Sequence, residues 1–196
     1  RDTHLLLHDD GEGYEVGMML WLLDRVGHPR VSVLDGGIPA WQAGGHPVET
    51  RAPEPQAGSY DASAGAPPYD NLATKEWILG NMDREDLTLV DTRSASEYTG
   101  SRISLRRTGR LPGAVWMEWS ETLAQEPGKP PRFVAADEMA RKLDALGITR
   151  DKELVCYCQV GVRSAQVYGV LRMLGFPRVK NYVGSWAEWG RDRRVP

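Results

Sequence analysis

Cys158 stands one residue beyond the apolar run LVCY and opens the stretch C-Q-V-G-V-R-S, in which Gly161, Arg163 and Ser164 follow in close order. A thiol at the end of a strand and just before a helix meets several backbone N–H groups and the positive end of a helix dipole. That field favours an anion, and therefore thiolate, the nucleophilic form of cysteine. Gly161 permits the backbone angles of a tight turn. Arg163 adds a permanent charge and a planar fork of donors suited to an oxyanion. Gly, Arg and a helix start within one turn of Cys158 make a nucleophile in an anion cradle one reading of the stretch, which the spacing alone does not decide. The competing reading is inert packing, since free cysteine is among the most buried residue types. Cys156, inside the apolar run, fits that reading and is assigned to the core.

Other chemistries are excluded by what the chain lacks. All four histidines, His4, His8, His28 and His46, lie near its start, so a cysteine–histidine dyad with Cys158 would have to cross the whole chain. The two cysteines, Cys156 and Cys158, make neither a zinc site nor a disulfide framework, and they read as thiols of a reducing, cytoplasmic compartment. No glycine-rich dinucleotide or phosphate loop occurs, so neither a metal nor a nucleotide cofactor is expected. The net charge of −3 argues against a general nucleic-acid binder, and no apolar run approaches the length of a membrane span.

Secondary candidates lie elsewhere. Asp91 and Arg93, in VDTRSASEY, stand at a strand end where site residues occur, although an internal ion pair and helix cap is the blander reading. Trp186, in GSW, is a candidate for the pocket mouth, with core packing as its alternative. Arg102, Arg106, Arg107 and Arg110 form a basic run that could steer anions.

The elements that must position these residues follow a repeated pattern. The segment beginning at Leu5 lies over that beginning at Leu154: apolar strand, turn, helix, a G-x-P-R-V turn into a second strand, then Gly36 and Trp41 answering Gly184 and Trp189. In that register Asp9 occupies the place of Cys158, and His28 that of Phe176. The first helix is expected to bury Met19, Leu22, Leu23 and Val26. Residues 49–70 are rich in Pro, Ala, Gly and Ser and read as an extended linker. Beyond it, TKEWILGNM predicts a helix, LTLV a buried strand and SASEY a helix start with Ser94 and Glu97 at capping-box spacing. PPRFVAADEMARKLDALG predicts a helix with Phe133, Met139, Leu143 and Leu146 as its apolar stripe, and EWSETLAQEPGKPP a polar connector. Short apolar strands alternating with helices predict an α/β fold with a mostly parallel central sheet.

The motifs LTLVDTRSASEYTG, GRLPGAV, LVCYCQVGVRSA and GFPRVKNYVGSWAEWG, in this order, resemble the rhodanese family of thiosulfate sulfurtransferases, in a tandem arrangement. The resemblance implies a three-layer domain over residues 71–196 that carries the reaction, preceded over residues 1–48 by the C-terminal half of an inactive copy whose front half is missing. It further implies that Cys158 takes a sulfane sulfur from a small anionic donor, carries it as a persulfide and passes it to cyanide, a thiol or a thioredoxin-like dithiol, with Gln159, Val160, Gly161, Val162, Arg163 and Ser164 as the loop that cradles the donor's anionic end and the persulfide. The pattern departs from the family at Arg110, where GRLPGA replaces GHIPGA, and at Gln159 and Val160, which are not basic. Cysteine phosphatases, the rival enzyme class, place five residues between Cys and Arg; here four intervene, a tighter loop suited to a sulfur atom. Mercaptopyruvate is the alternative donor, but Arg163 favours thiosulfate. A non-catalytic binding module of the same fold is the remaining alternative.

Overall fold

In the computed structural model, residues 3–52, 54, 57–58, 69–102 and 107–196 are described. The stretches LTLVD and ELVCY carry almost unbroken apolar character, as strands covered on both faces must. They form β3 (Leu87–Asp91) and β7 (Glu153–Tyr157), adjacent members of a four-stranded, wholly parallel sheet of order β4-β3-β7-β8, with β4 at Val115–Trp116 and β8 at Val179–Asn181. Every residue of β7 is buried.

Two apolar layers cover this sheet. One joins Leu154 and Cys156 to Met139 and Leu143 of α5 (Ala136–Ala145) and to Val167 and Tyr168 of α6 (Val162–Met173). The other joins Val155 and Tyr157 to Ile78 of α3 (Lys75–Leu79) and to Trp186 and Trp189 of α7 (Ser185–Trp189). From β3 the chain passes first to β4 on one side and later, through α5, to β7 on the other. The loops after β3 and β7 therefore diverge across a crevice at the carboxyl end of the sheet, where ligands bind in such folds.

The amino-terminal part supplies β1 (Leu5–Leu7) and β2 (Val31–Val33), a parallel pair, with α1 (Tyr14–Arg25) between them and α2 (Gly37–Ala43) after. Helix α1 lies on α6. A methyl group at Gly17 would fall 2.5 Å from the Gln166 Cα, so only glycine lets the two helices approach this closely. Trp21 donates its indole N–H to the Asn71 carbonyl at 3.0 Å, and Asp24 accepts from Tyr168 and, at 3.1 Å, from Arg172. The buried face of α1 is accordingly Val16, Gly17 and Trp21, whereas Met19 and Leu22 are exposed. The expected stripe of Met19, Leu22, Leu23 and Val26 is corrected in part: Leu23 and Val26 are half-buried, but Met19 and Leu22 face outward because the contact with α6 runs through Gly17. Helix α6, covered by the sheet on one side and α1 on the other, is buried continuously from Ser164 to Leu171.

Two further expectations change. Phe133 is not in a helix; Arg132–Phe133 forms β6, which pairs antiparallel with β5 (Leu123–Ala124). The connector ahead of it holds a 3₁₀ turn, Trp119–Thr122, as well as β5. The Asp35 carboxylate accepts the Phe133 N–H at 2.8 Å, a long-range tether that no local pattern announces. Most of the 49–70 linker, and Arg106 of the basic run, lie outside the described residues.

Candidate active site

Cys158 follows β7 directly, and α6 begins four residues later. Gly161, the residue before the helix, has φ +85°, and a methyl group there would fall 2.7 Å from the Val183 Cα; both facts require glycine. This geometry turns the Gly161 N–H onto the Cys158 sulfur at 3.2 Å. The loop is fastened from below by the turn after β8. Ser185 accepts the Cys158 N–H at 3.1 Å and donates to the Tyr182 carbonyl at 2.6 Å, while Trp186 and Ala187 donate backbone N–H groups to the Cys158 and Gln159 carbonyls. Among the described residues Ser185 is the sole non-glycine with positive φ, +51°, a strained conformation at the residue that seats the cysteine. Asn181 completes the support, donating to the Gly161 carbonyl at 3.0 Å and accepting from Ser164 at 2.6 Å.

Arg163 points back across the crevice. Its two terminal nitrogens grip the Glu97 carboxylate at 2.9 and 3.0 Å, and the guanidinium also interacts with the Cys158 sulfur. Burial works against the arginine's charge, but Glu97 and the sulfur together raise its affinity for the proton. Glu97 is likewise opposed by burial, yet the donors of Arg163 and Ser94 hold its carboxyl down at about 2. The Ser94–Glu97 capping box forms as its spacing predicts, and the same carboxylate serves both the helix cap and the arginine. Sequence reasoning saw Glu97 only as a cap. Asn181 and Ser185 were missed; Ser185 stood in the GSW motif beside the tryptophan that drew attention.

The remaining candidates are placed as follows. Val160 is exposed at the loop tip, Val162 is half-buried, and the Gln159 side-chain oxygen is buried with no hydrogen-bond partner among the described residues. Ser164 is fully buried and turned toward Asn181, away from the loop. Asp91 and Arg93 form an internal pair at 2.6 Å, with Tyr157 donating to Asp91 at 2.7 Å and Gly109 accepting from Arg93 at 2.8 Å. Trp186 lies under the loop rather than at a mouth, 1% exposed, with the Arg93 guanidinium 4.7 Å above its ring. Of the basic run, Arg110 lies over the Tyr98 ring and Arg107 donates to the Asp192 and Val195 carbonyls. Cys158 itself is fully buried. Cys156 is buried in β7, and burial pushes its thiol well up.

A wholly parallel sheet with a cysteine at the head of a buried helix, set in a turn that offers the Gly161 N–H to its sulfur, defines a class of α/β proteins with a thiol centre at the strand ends. The Rhodanese-like domain model matches residues 74–192, and the chain belongs to that family. It is 38% identical over 191 residues to a thiosulfate sulfurtransferase of Azotobacter vinelandii, covering 97% of this chain and 68% of the relative. It is 37% identical to a thiosulfate sulfurtransferase of Pseudomonas aeruginosa, covering 99% and 69%. Among solved structures, YnjE superimposes with a TM-score of 0.85 at 24% identity, over all of this chain and 48% of that one. A structure of EanB with ergothioneine covalently linked to a persulfide gives 0.84 at 22%, over 99% and 50%. The chain therefore spans about two thirds of the curated relatives it matches and half of these solved chains. No helix among the described residues is long and apolar enough to cross a membrane.

Proposed function

We propose that this chain is a thiosulfate sulfurtransferase in which Cys158 carries the sulfur. The carrying observation is the Cys158 sulfur held at the head of α6 with the Gly161 N–H turned onto it at 3.2 Å. The cysteine sulfur attacks the sulfane sulfur of thiosulfate; the S–S bond of the donor breaks, sulfite leaves with the electron pair, and a Cys158 persulfide forms. An acceptor, either cyanide or a thiol including a thioredoxin-like dithiol, then attacks the outer sulfur and Cys158 departs as the thiolate. The Gly161 N–H and the helix dipole stabilise negative charge on the sulfur in both steps. Arg163 orients the loop through Glu97 and keeps its remaining donors for the anion.

Residues 71–196 are the catalytic unit, joined by the 49–70 linker to residues 1–48, which repeat the second half of the same fold. Two features support that reading: β1-α1-β2-α2 and the last four elements, β7-α6-β8-α7, both run strand, helix, strand, helix, and α1 and α6 both start after a left-handed glycine, Gly13 at φ +82° and Gly161 at +85°. Asp9, in the cysteine's place, fills its own turn by accepting the Gly11 and Gly13 N–H groups at 2.9 and 2.8 Å, so this copy is silent. The two free thiols suit a reducing, cytoplasmic compartment.

The full burial of Cys158 favours one second reading, a binding module of this fold without turnover. Intact-mass measurement after incubation with thiosulfate separates the two. The sulfurtransferase gains one sulfur atom, on Cys158, and the Cys158→Ser variant gains none and transfers nothing to cyanide. A label on Cys156, or full turnover by Cys158→Ser, overturns the assignment.

A further inference from the structure

The loop that carries Cys158 rests on a residue under backbone strain. Ser185 is fully buried and has φ +51°; among the described residues every other positive φ belongs to a glycine. A side chain at that angle crowds its own carbonyl oxygen, and glycine would remove the crowding. What glycine could not supply is the hydroxyl, which accepts the Cys158 N–H at 3.1 Å and donates to the Tyr182 carbonyl at 2.6 Å. Without it the buried Cys158 N–H loses this partner.

Ser185 acts beside three further supports. The Trp186 and Ala187 N–H groups bond the Cys158 and Gln159 carbonyls at 3.0 and 2.9 Å, and the Asn181 side chain bonds the Gly161 carbonyl at 3.0 Å. Three carbonyls of the loop are thereby drawn to the segment 181–187, while the Gly161 N–H lies on the sulfur at 3.2 Å. That arrangement matters for charge. An N–H aimed at the sulfur stabilises the thiolate that must attack and later leave, and a carbonyl swung toward it would oppose the same charge. Cys158 is held at both of its backbone groups, the N–H by Ser185 and the carbonyl by Trp186, so its side chain leaves the backbone in one direction.

We propose that Ser185 is a positioning residue for sulfur transfer, its hydroxyl fixing the Cys158 backbone so that the sulfur stays on the Gly161 N–H; this rests on the sulfurtransferase reading above. The left-handed angle brings the hydroxyl under Cys158, and the strain is the cost of placing it there. Ser185 acts only through the loop. Its loss should therefore slow the attack of the sulfur without weakening the hold on the donor.

The test compares two variants of the full chain. Ser185→Ala removes the hydroxyl and keeps the strained angle, whereas Ser185→Gly removes both. A serine that merely braced the fold would make the relieved glycine variant the better of the two in stability and in turnover alike. The proposal expects the two properties to part. Ser185→Gly should show the higher urea midpoint, yet load sulfur from thiosulfate no faster than Ser185→Ala. Both should lose about tenfold in the saturating rate of persulfide formation, with half-saturation within about twofold of the unmodified protein. Hydrogen exchange of the Gly161 amide should quicken about tenfold relative to that of Val170, in the middle of α6, in both variants. Loading rates that follow the order of stability would overturn the proposal, as would an unchanged saturating rate or an unchanged Gly161 exchange. Absence of any persulfide on the unmodified protein would instead remove the sulfurtransferase reading, and the exchange rates would then decide by themselves whether Ser185 seats the loop.

Discussion

Arg163 has its fork committed to Glu97, and this changes what its removal means. Arg163→Ala would not only delete a charge from the loop after Cys158; it would leave the Glu97 carboxylate, 7% exposed, without its arginine partner. The cost of such an orphaned group is about 1–3 kcal/mol, or roughly 5- to 150-fold in kcat/KM if it is expressed in the transition state. Adding Glu97→Gln to Arg163→Ala should therefore restore part of the loss, and a double-mutant cycle on thiosulfate turnover measures that coupling. Additive losses would mean that the two residues act separately. The pair also has a pH signature. The Glu97 carboxyl is depressed from the ordinary 4.5 to about 2, so its stabilisation is complete above the unfolded value and is lost as pH falls through the folded one. Urea unfolding of the unmodified protein should weaken between about pH 4.5 and 2 more steeply than that of Glu97→Gln, and activity above pH 5 should owe nothing to this titration.

At the scale of elements, the loop depends on two short segments meeting: the β7–α6 turn and the turn that starts α7. Gly161 and Gly147 both have positive φ, +85° and +70°, but a methyl group at Gly147 meets nothing within 4 Å, whereas at Gly161 it meets the Val183 backbone. Gly147→Ala should cost only the left-handed penalty, about 1–2 kcal/mol, and keep turnover. Gly161→Ala must in addition push the loop off Val183, and should lose both more stability and most of the sulfur transfer. Denaturant midpoints and turnover of the two variants, measured side by side, check this; equal behaviour would show that the contact with Val183 does not matter. Much of this level was legible in the sequence. The runs LTLV and LVCY gave strands because strands buried on both faces must be apolar throughout, and SASEY gave a capped helix because Ser94 and Glu97 satisfy each other locally. The β5–β6 hairpin was not legible, because Phe133 is held by Asp35 from ninety-eight residues away.

At the scale of the molecule, the amino-terminal part and residues 71–196 share the α1–α6 contact, and α6 is the helix that begins four residues after Cys158. Gly17→Val would drive branched carbon into the Gln166 backbone and separate the helices. Overpacking of this kind costs about 1–3 kcal/mol, which for a chain of this size lowers Tm by roughly 2–10 °C. Calorimetry of Gly17→Val against Met19→Val, a change on the exposed side of the same helix, tests whether this contact stabilises the whole. Equal melting temperatures for the two variants would show that α1 only rests on α6.

By itself the sequence determined the two central buried strands, the capped helix after the first and the α/β class with a mostly parallel sheet, because each is written in local spacing: an apolar run, a glycine, a cap. Tertiary structure decided what those residues face. It paired Arg163 with Glu97 across the crevice, turned Ser164 inward to Asn181, sealed Trp186 beneath the loop, and chose Gly17 and Trp21 over Met19 and Leu22 as the buried face of α1. Periodicity reports that a side chain shares a face with its neighbours along one element; which partner stands opposite is set by the close packing of elements far apart in the chain.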